Sequence, residues 1–329
     1  MSDFSRREFL KRSVASGVAG GLVLTGMNRR AEASAVADVG TVIDLTLCDG
    51  CASLPLPACV SACRDKNKAR FPEPIEDIGN YWPQKKKEDW SKKRDLTDRL
   101  TPYNWTFVQK VQVEHGGRDH TLYLQRRCMH CDNPACATLC PFSSNHKFEN
   151  GAVVIDQDTC FGGAKCKTVC PWEIPQRQSG IGIYLKVLPT LMGNGVMYKC
   201  DLCNDLIEAG KTPACIAACP RQAMAIGPRE EIFARAEALA KRIGGHLYGK
   251  EENGGTSTLY ISPVPFADLN AAVQTGPGRP HLQPVARRMA GSDGLGKVVL
   301  AAPALGVAAG IVGVFAAISR RKDRSGKEE

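Results

Sequence analysis

Fifteen cysteines among 329 residues, gathered in four groups, are the side chains of this sequence with the most chemistry to offer. The first group is Cys48, Cys51, Cys59 and Cys63, and the second is Cys128, Cys131, Cys136 and Cys140, followed by Pro141. The third is Cys160, Cys166 and Cys170, followed by Pro171; the fourth is Cys200, Cys203, Cys215 and Cys219, followed by Pro220. Thiols this crowded form disulfides, hold zinc or hold iron-sulfur clusters. An odd count weakens the disulfide reading. Zinc takes cysteine or histidine in fours but needs neither a third cysteine on one loop nor a trailing proline. A cubane cluster needs one thiolate per iron, so a tight loop with three cysteines wraps three corners and the fourth ligand arrives from elsewhere. The second, third and fourth groups end in C-x3-C-P, the pattern whose last cysteine serves the other cluster of a pair. The spacing points to iron-sulfur clusters.

The elements that must position these loops are short. Between the first two groups, a charged segment with Lys85-Lys86-Lys87 and Lys92-Lys93-Arg94 reads as a solvated face. Trp105 to Val113 then alternates like a strand, turns at Gly116-Gly117 and returns through Thr121 to Leu124 as a hairpin. After the fourth group, Pro228 opens an amphipathic helix with Ile232, Ala236, Leu239 and Ile243 on one face and Gly244-Gly245 as its stop. Leu259 to Ile261 reads as a short strand, and Pro263 to Gly296 as an extended arm.

Both ends carry their own signals. Ser5-Arg6-Arg7-Glu8-Phe9-Leu10-Lys11, the Gly/Ala-rich run Val14 to Met27 and the small residues Ala31, Ala33 and Ala35 look like a twin-arginine export signal. Val298 to Ile318 carries no charge, and at 1.5 Å per residue it spans about 31 Å, the thickness of the hydrocarbon core. Arg320, Arg321, Lys322 and Arg324 follow, which puts the tail in the cytoplasm and the main domain in the periplasm. Ala302, Gly306 and Gly310 give the span a small-residue face for another membrane helix. The formal charge of +9 is partly spent on these termini. Four oxidised clusters with their thiolates would bring about −8 more. The folded part is therefore expected to be mildly acidic, and nucleic acid is not an expected partner.

The spacings C-x2-C-x4-C-x3-C-P and C-x2-C-x11-C-x3-C-P, with Cys128-Met129-His130-Cys131, Tyr198-Lys199-Cys200-Asp201-Leu202-Cys203 and His246-Leu247-Tyr248-Gly249 leading to Gly254-Gly255-Thr256, resemble a known family. It is the four-cluster ferredoxin-like subunit of membrane-bound respiratory oxidoreductases, particularly nickel-iron hydrogenases and formate dehydrogenases. The resemblance implies an α+β fold of two ferredoxin-like domains, 40–65 with 196–228 and 128–195, each built around a pair of cysteine groups. The rest would be a signal over 1–33, the inserted segment and hairpin over 66–127, helix, strand and arm over 229–296, one transmembrane helix over 297–319 and a cytoplasmic tail over 320–329.

The same resemblance implies that group one pairs with group four and group two with group three. Cys48, Cys51, Cys59 and Cys219 would hold one 4Fe-4S cluster, Cys200, Cys203, Cys215 and Cys63 a second, and Cys128, Cys131, Cys136 and Cys170 a third. Cys160, Cys166 and Cys140 remain for the last. Gly163 stands where a further cysteine would complete C-x2-C-x2-C-x3-C-P, and glycine offers iron no ligand. The simplest outcome is a 3Fe-4S cluster, as in nitrate-reductase-type relatives with a replaced cysteine; a hydroxide or remote ligand on a fourth iron is the alternative. Group one departs as well, with seven residues between Cys51 and Cys59 in place of two. His130 reads as a hydrogen bonder beside its loop rather than a ligand.

The implied partners are a periplasmic catalytic subunit, of hydrogenase or molybdopterin type, near groups one and four, and a quinone- or haem-binding membrane subunit near groups two and three. No phosphate loop, Rossmann fingerprint or Ser/His/Asp set accompanies the cysteines, so the chain is not expected to be an enzyme in its own right. A zinc-binding scaffold is the competing reading.

Overall fold

The structure, a computed structural model, describes residues 38–80, 87–187 and 195–291. The expected export signal, the Val298–Ile318 span, the basic tail, Lys85 and Lys86 lie outside them. Among the described residues no helix is long and apolar enough to cross a membrane.

In chain order the described elements are β1 (Val39–Asp44), α1 (Ala58–Asn67), β2 (Phe107–His115), β3 (Arg118–Arg126), α2 (Ala135–Thr138), β4 (Asn145–Lys147), β5 (Val153–Ile155) and α3 (Lys165–Val169). There follow β6 (Gln176–Gln178), α4 (Tyr184–Val187), β7 (Val196–Tyr198), α5 (Asn204–Glu208), α6 (Ala214–Ala217), β8 (Met224–Pro228), α7 (Arg229–Ile243), β9 (His246–Tyr248), β10 (Thr258–Ser262) and α8 (Phe266–Ala272).

Strand pairing decides which cysteine groups meet. β1 leads into group one and β8 leaves group four, and the two pair antiparallel with Val42 opposite Ala225. β4 leaves group two and β5 leads into group three, paired through His146 and Val154. β6 leaves group three and β7 leads into group four, paired through Arg177 and Met197. The ladders thus tie group two to three, three to four and four to one. β1 also pairs parallel with β10, and β9 closes a four-stranded sheet in the order β8-β1-β10-β9.

Helix α7 covers this sheet, burying Ile232, Ala236 and Ala240 against Val42, Leu259 and Ile261. The expected face is corrected by one turn: Ala240 is buried, whereas Ile243, at the helix end before Gly244, is 39 % exposed. The hairpin β2–β3 turns at Gly116 and Gly117, whose φ values of 61° and 73° suit a two-residue turn between twisted strands. Its inward side, Phe107, Val111, Leu122 and Leu124, joins the main hydrophobic cluster, which also contains cysteines of all four groups. Lys92 and Lys93 are exposed, and Arg94 grips Glu73 through two bonds of 2.8 Å.

The stretch from Pro263 is not an arm throughout. Pro265 caps α8, whose Phe266 and Leu269 are buried, and Leu282 farther on is 1 % exposed. Its prolines and glycines suggested a linker, but proline just ahead of a helix fixes φ where an unpaired N–H is no loss.

Candidate iron-sulfur cluster sites

Each cysteine group is built the same way. A loop carries the leading cysteines, and a helix follows with the third-position cysteine as its second residue: Cys59 in α1, Cys136 in α2, Cys166 in α3 and Cys215 in α6. Pro57, Pro134 and Pro213 precede three of these helices, and none of the four has a side-chain cap. In groups two, three and four the helix ends one or two residues before the last cysteine, and proline follows that cysteine. Three residues on, Ser143, Glu173 and Gln222 each take the left-handed conformation. In group one Arg64 replaces the proline and α1 runs ten residues, to Asn67. The loops themselves are tightly turned, with Cys51, His130, Leu202 and Cys203 at φ between 50° and 60°. Such backbone in non-glycine residues is costly and gathers where geometry serves a site.

All fifteen cysteines are free of disulfides. Cys48, Cys51, Cys59 and Cys219 line one cavity, with Ile43, Pro57, Val108 and Met224 around it. Cys59 therefore joins its group despite the long spacing, because α1 opens at Pro57 and turns it back to the loop. Cys140, Cys160 and Cys166 line a second cavity, together with Gly162, Gly163, Phe161 and Met197. Of the remaining cysteines, Cys63 lies within electrostatic reach of Cys200, Cys215 and Cys203. Cys131 stands in the same relation to Cys128, Cys170 and Cys136.

The four sets follow one another in space. Cys59 and Cys63 sit a turn apart on α1, and Cys59 lies within electrostatic reach of Cys215. Cys200 feels Cys128. Cys166 feels Cys136 and Cys170. The order is thus Cys48/Cys51/Cys59/Cys219, then Cys63/Cys200/Cys203/Cys215, then Cys128/Cys131/Cys136/Cys170, then Cys140/Cys160/Cys166.

The chemistry of the donors fits clusters. Among the described residues no group of three or more His, Cys, Asp or Glu converges to hold a single metal ion. Zinc would need four ligands within about 2.3 Å of one point. Here the sulfurs stand apart around a space, as a cluster that brings its own sulfides requires. Backbone N–H groups already point at sulfur: Gly162 and Met197 each donate to Cys160 Sγ at 3.5 Å, and Leu202 donates to Cys200 Sγ at 3.4 Å. Asn67 Nδ2 lies 3.7 Å from Cys63 Sγ.

Burial raises the thiols. Cys170, Cys200 and Cys203 are each pushed up to about 12, chiefly by desolvation. Such thiols are protonated at neutral pH, and iron binds the thiolate, so cluster assembly must release protons. Iron incorporation into the apo chain is therefore expected to be faster and more complete at about pH 8.5 than at about pH 7. Incorporation independent of pH would contradict this.

His130 is fully buried. Its Nδ1 accepts the Val153 N–H at 3.0 Å, and Nε2 has no partner among the described residues. Burial, then the charges of Lys199, Arg127 and Lys147, push its pKa well down, so the ring is neutral. Sequence reasoning missed Arg127 and Lys199 themselves, buried cations each placed one residue before a cysteine. The signal was there: Lys199 follows the apolar strand Val196–Tyr198 with no room for a solvated side chain.

Comparison with known proteins agrees with this geometry. Residues 47–144 and, overlapping them, residues 120–229 each match a family described as 4Fe-4S dicluster domain. Hydrogenase-2 operon protein HybA of Escherichia coli O157:H7 is 30% identical over 307 residues, which cover 81% of this chain and 83% of the relative. The nitrate-inducible formate dehydrogenase iron-sulfur subunit of Escherichia coli K12 is 28% identical over 232 residues, 68% of each chain. The probable anaerobic dimethyl sulfoxide reductase chain YnfG of the same strain is 31% identical over 205 residues, 61% of this chain and 78% of the relative. With relatives matched over most of their length and its cysteines arranged as such domains require, this chain belongs to the 4Fe-4S dicluster family of iron-sulfur subunits, which transfer electrons within oxidoreductase complexes and are not their catalytic subunits.

Proposed function

We propose that this chain relays electrons between a periplasmic catalytic subunit of hydrogenase or formate dehydrogenase type and a quinone- or haem-binding membrane subunit, through three 4Fe-4S clusters and one 3Fe-4S cluster. The observation that carries the proposal is the linear order of the four cysteine sets. When bound, the clusters accept and release single electrons. The fifteen cysteines hold them in the sets given above, and Cys140, Cys160 and Cys166, with Gly163 beside them, supply three thiolates to the last.

The two outer sets line cavities with exposed apolar side chains nearby. Leu47 and Leu54, 45 % and 47 % exposed, flank the first set. Leu139 and Phe142, 38 % and 49 % exposed, flank the last, where Phe142 stacks on Phe161 at 4.0 Å. Isolated exposed leucines need no explanation, but apolar groups beside the ends of an electron path suit docking faces. The first end would meet the catalytic subunit and the last the membrane subunit, with partners setting the direction of flow.

The twin-arginine signal would export the chain already folded, with its clusters inserted, and the span over 297–319 would anchor it to the periplasmic face. Deleting residues from Val298 onward is expected to release a soluble periplasmic protein that keeps its iron, since the span contributes no cysteine. Lysine at both Arg6 and Arg7 is expected to leave the folded precursor in the cytoplasm. Fractionation with iron analysis reads both, and continued export of the double variant would point to another signal.

A further inference from the structure

Arg127 and Lys199 are placed crosswise at the middle of the path. Arg127 precedes Cys128 of the third set, yet lies within electrostatic reach of Cys200 and Cys215 of the second. Lys199 precedes Cys200 of the second set, yet reaches Cys128 and Cys136 of the third. Arg127 is 2 % exposed and Lys199 5 %. Their hydrogen bonds go to neutral oxygens. Arg127 donates to Thr41 Oγ1 at 2.7 Å and to the Cys128 carbonyl at 3.3 Å, and its Nε has no partner among the described residues. Lys199 donates to the carbonyls of Val153 and Cys200. The buried carboxylate of Asp201, which also lies within electrostatic reach of Lys199, is paired with Arg70 at 2.5 Å.

A buried cation without a partner carries a large desolvation cost, so a folded chain keeps one only where negative charge stands close by. Besides Asp201, which Arg70 already neutralises, the charge available at this junction belongs to the thiolates of the second and third sets and whatever they hold.

Resting on the four-cluster reading above, we propose that Arg127 and Lys199 are fixed internal countercharges that set the reduction potentials of the two middle clusters and make the hop between them feasible. Reduction of a cluster adds one electron and no atoms, taking it with its thiolates from about −2 to about −3. Both cations stabilise the more negative form, and in a dry interior they act with little screening. Arg127 and Lys199 are positioning residues in this sense: they ligate nothing and shift an equilibrium.

The test uses the full chain, purified anaerobically, with each cluster followed by paramagnetic resonance during a redox titration. Arg127→Met and Lys199→Met are each expected to lower the midpoints of the second and third clusters by tenfold or more in the oxidised-to-reduced equilibrium, 59 mV or more for a one-electron couple. Arg127→Lys and Lys199→Arg should stay close to wild type. The first cluster serves as internal control, since neither cation lines the cavity of Cys48, Cys51, Cys59 and Cys219. Loss of a middle cluster in the methionine variants but not in the charge-keeping ones would also support the proposal. Unchanged midpoints in iron-replete methionine variants would overturn it, as would equal loss of iron in both kinds of variant, which would make the role one of shape. A wild type without four clusters would instead overturn the reading on which the proposal rests.

Discussion

Gly163→Cys is expected to abolish the paramagnetic signal of the oxidised protein and replace it with one that appears only on reduction. A 3Fe-4S cluster is paramagnetic when oxidised, whereas an oxidised low-potential 4Fe-4S cluster is silent. The substitution is well posed structurally. A Cβ built on Gly163 meets nothing within 4 Å, and its backbone is outside the left-handed region. Gly163 also lines the cavity shared by Cys140, Cys160 and Cys166, so a thiol there faces the right space. Gly162 makes the contrast. Its φ is +64°, and a Cβ there would lie 2.3 Å from the Gly195 carbonyl oxygen, so Gly162→Cys should disrupt the loop without supplying a ligand. In Gly163→Cys the iron count should rise by about one, and transfer to the quinone pool should suffer more than transfer into the subunit. An iron-replete, air-oxidised wild type with no signal would mean that a fourth iron is held there by a ligand other than cysteine.

Cys63→Ala and Cys219→Ala are expected to remove different clusters, crosswise to the groups they belong to. Cys219 lies in group four but lines the cavity of Cys48, Cys51 and Cys59. Cys63 lies in group one but stands with Cys200, Cys203 and Cys215. Cys219→Ala should therefore empty the outer first site, and Cys63→Ala the second. Each loss is about four irons. Cys63→Ala should also lower stability more, because Cys63 is 7 % exposed within the main core whereas Cys219 is only partly buried. Cluster-resolved spectra with iron analysis would read the pattern. Loss of the Cys128 cluster in Cys63→Ala would mean that consecutive groups pair instead.

That crossing marks how far the sequence was legible. The identity of the ligands follows from spacing, because thiolates on a short loop and a proline after the last one are local requirements. The pairing of group one with group four does not. Nothing within residues 48–63 points to residues 200–219; the antiparallel match of Val39–Asp44 with Met224–Pro228 brings them together, and that is a long-range fact. Even the matches of 47–144 and 120–229 to dicluster domains follow chain order rather than this crossing. Cys59 looked displaced because the spacing counts residues, whereas the bends over Ala52–Leu56 shorten the path to Pro57.

The elements beyond the cysteines were legible where periodicity was long. The hairpin and the helix after Pro228 stand where alternation and the helical stripe place them, although Ile243 yields its buried place to Ala240. Helix Phe266–Ala272 was not legible, since seven residues between prolines and glycines give too few turns to show a period. Arg127 and Lys199 were hidden for a different reason. Charge in a sequence is read as solvated by default, and only the packed strands around them show that these two are not.

Counting iron and acid-labile sulfide in the anaerobically purified chain, together with its oxidised paramagnetic spectrum, tests whether four cysteine sets hold one electron path. Three complete sets and one set of three thiolates predict about 15 irons and about 16 sulfides per chain, a brown protein, and a single oxidised 3Fe-4S signal. A count near four irons, or a colourless protein loaded with zinc, would contradict it.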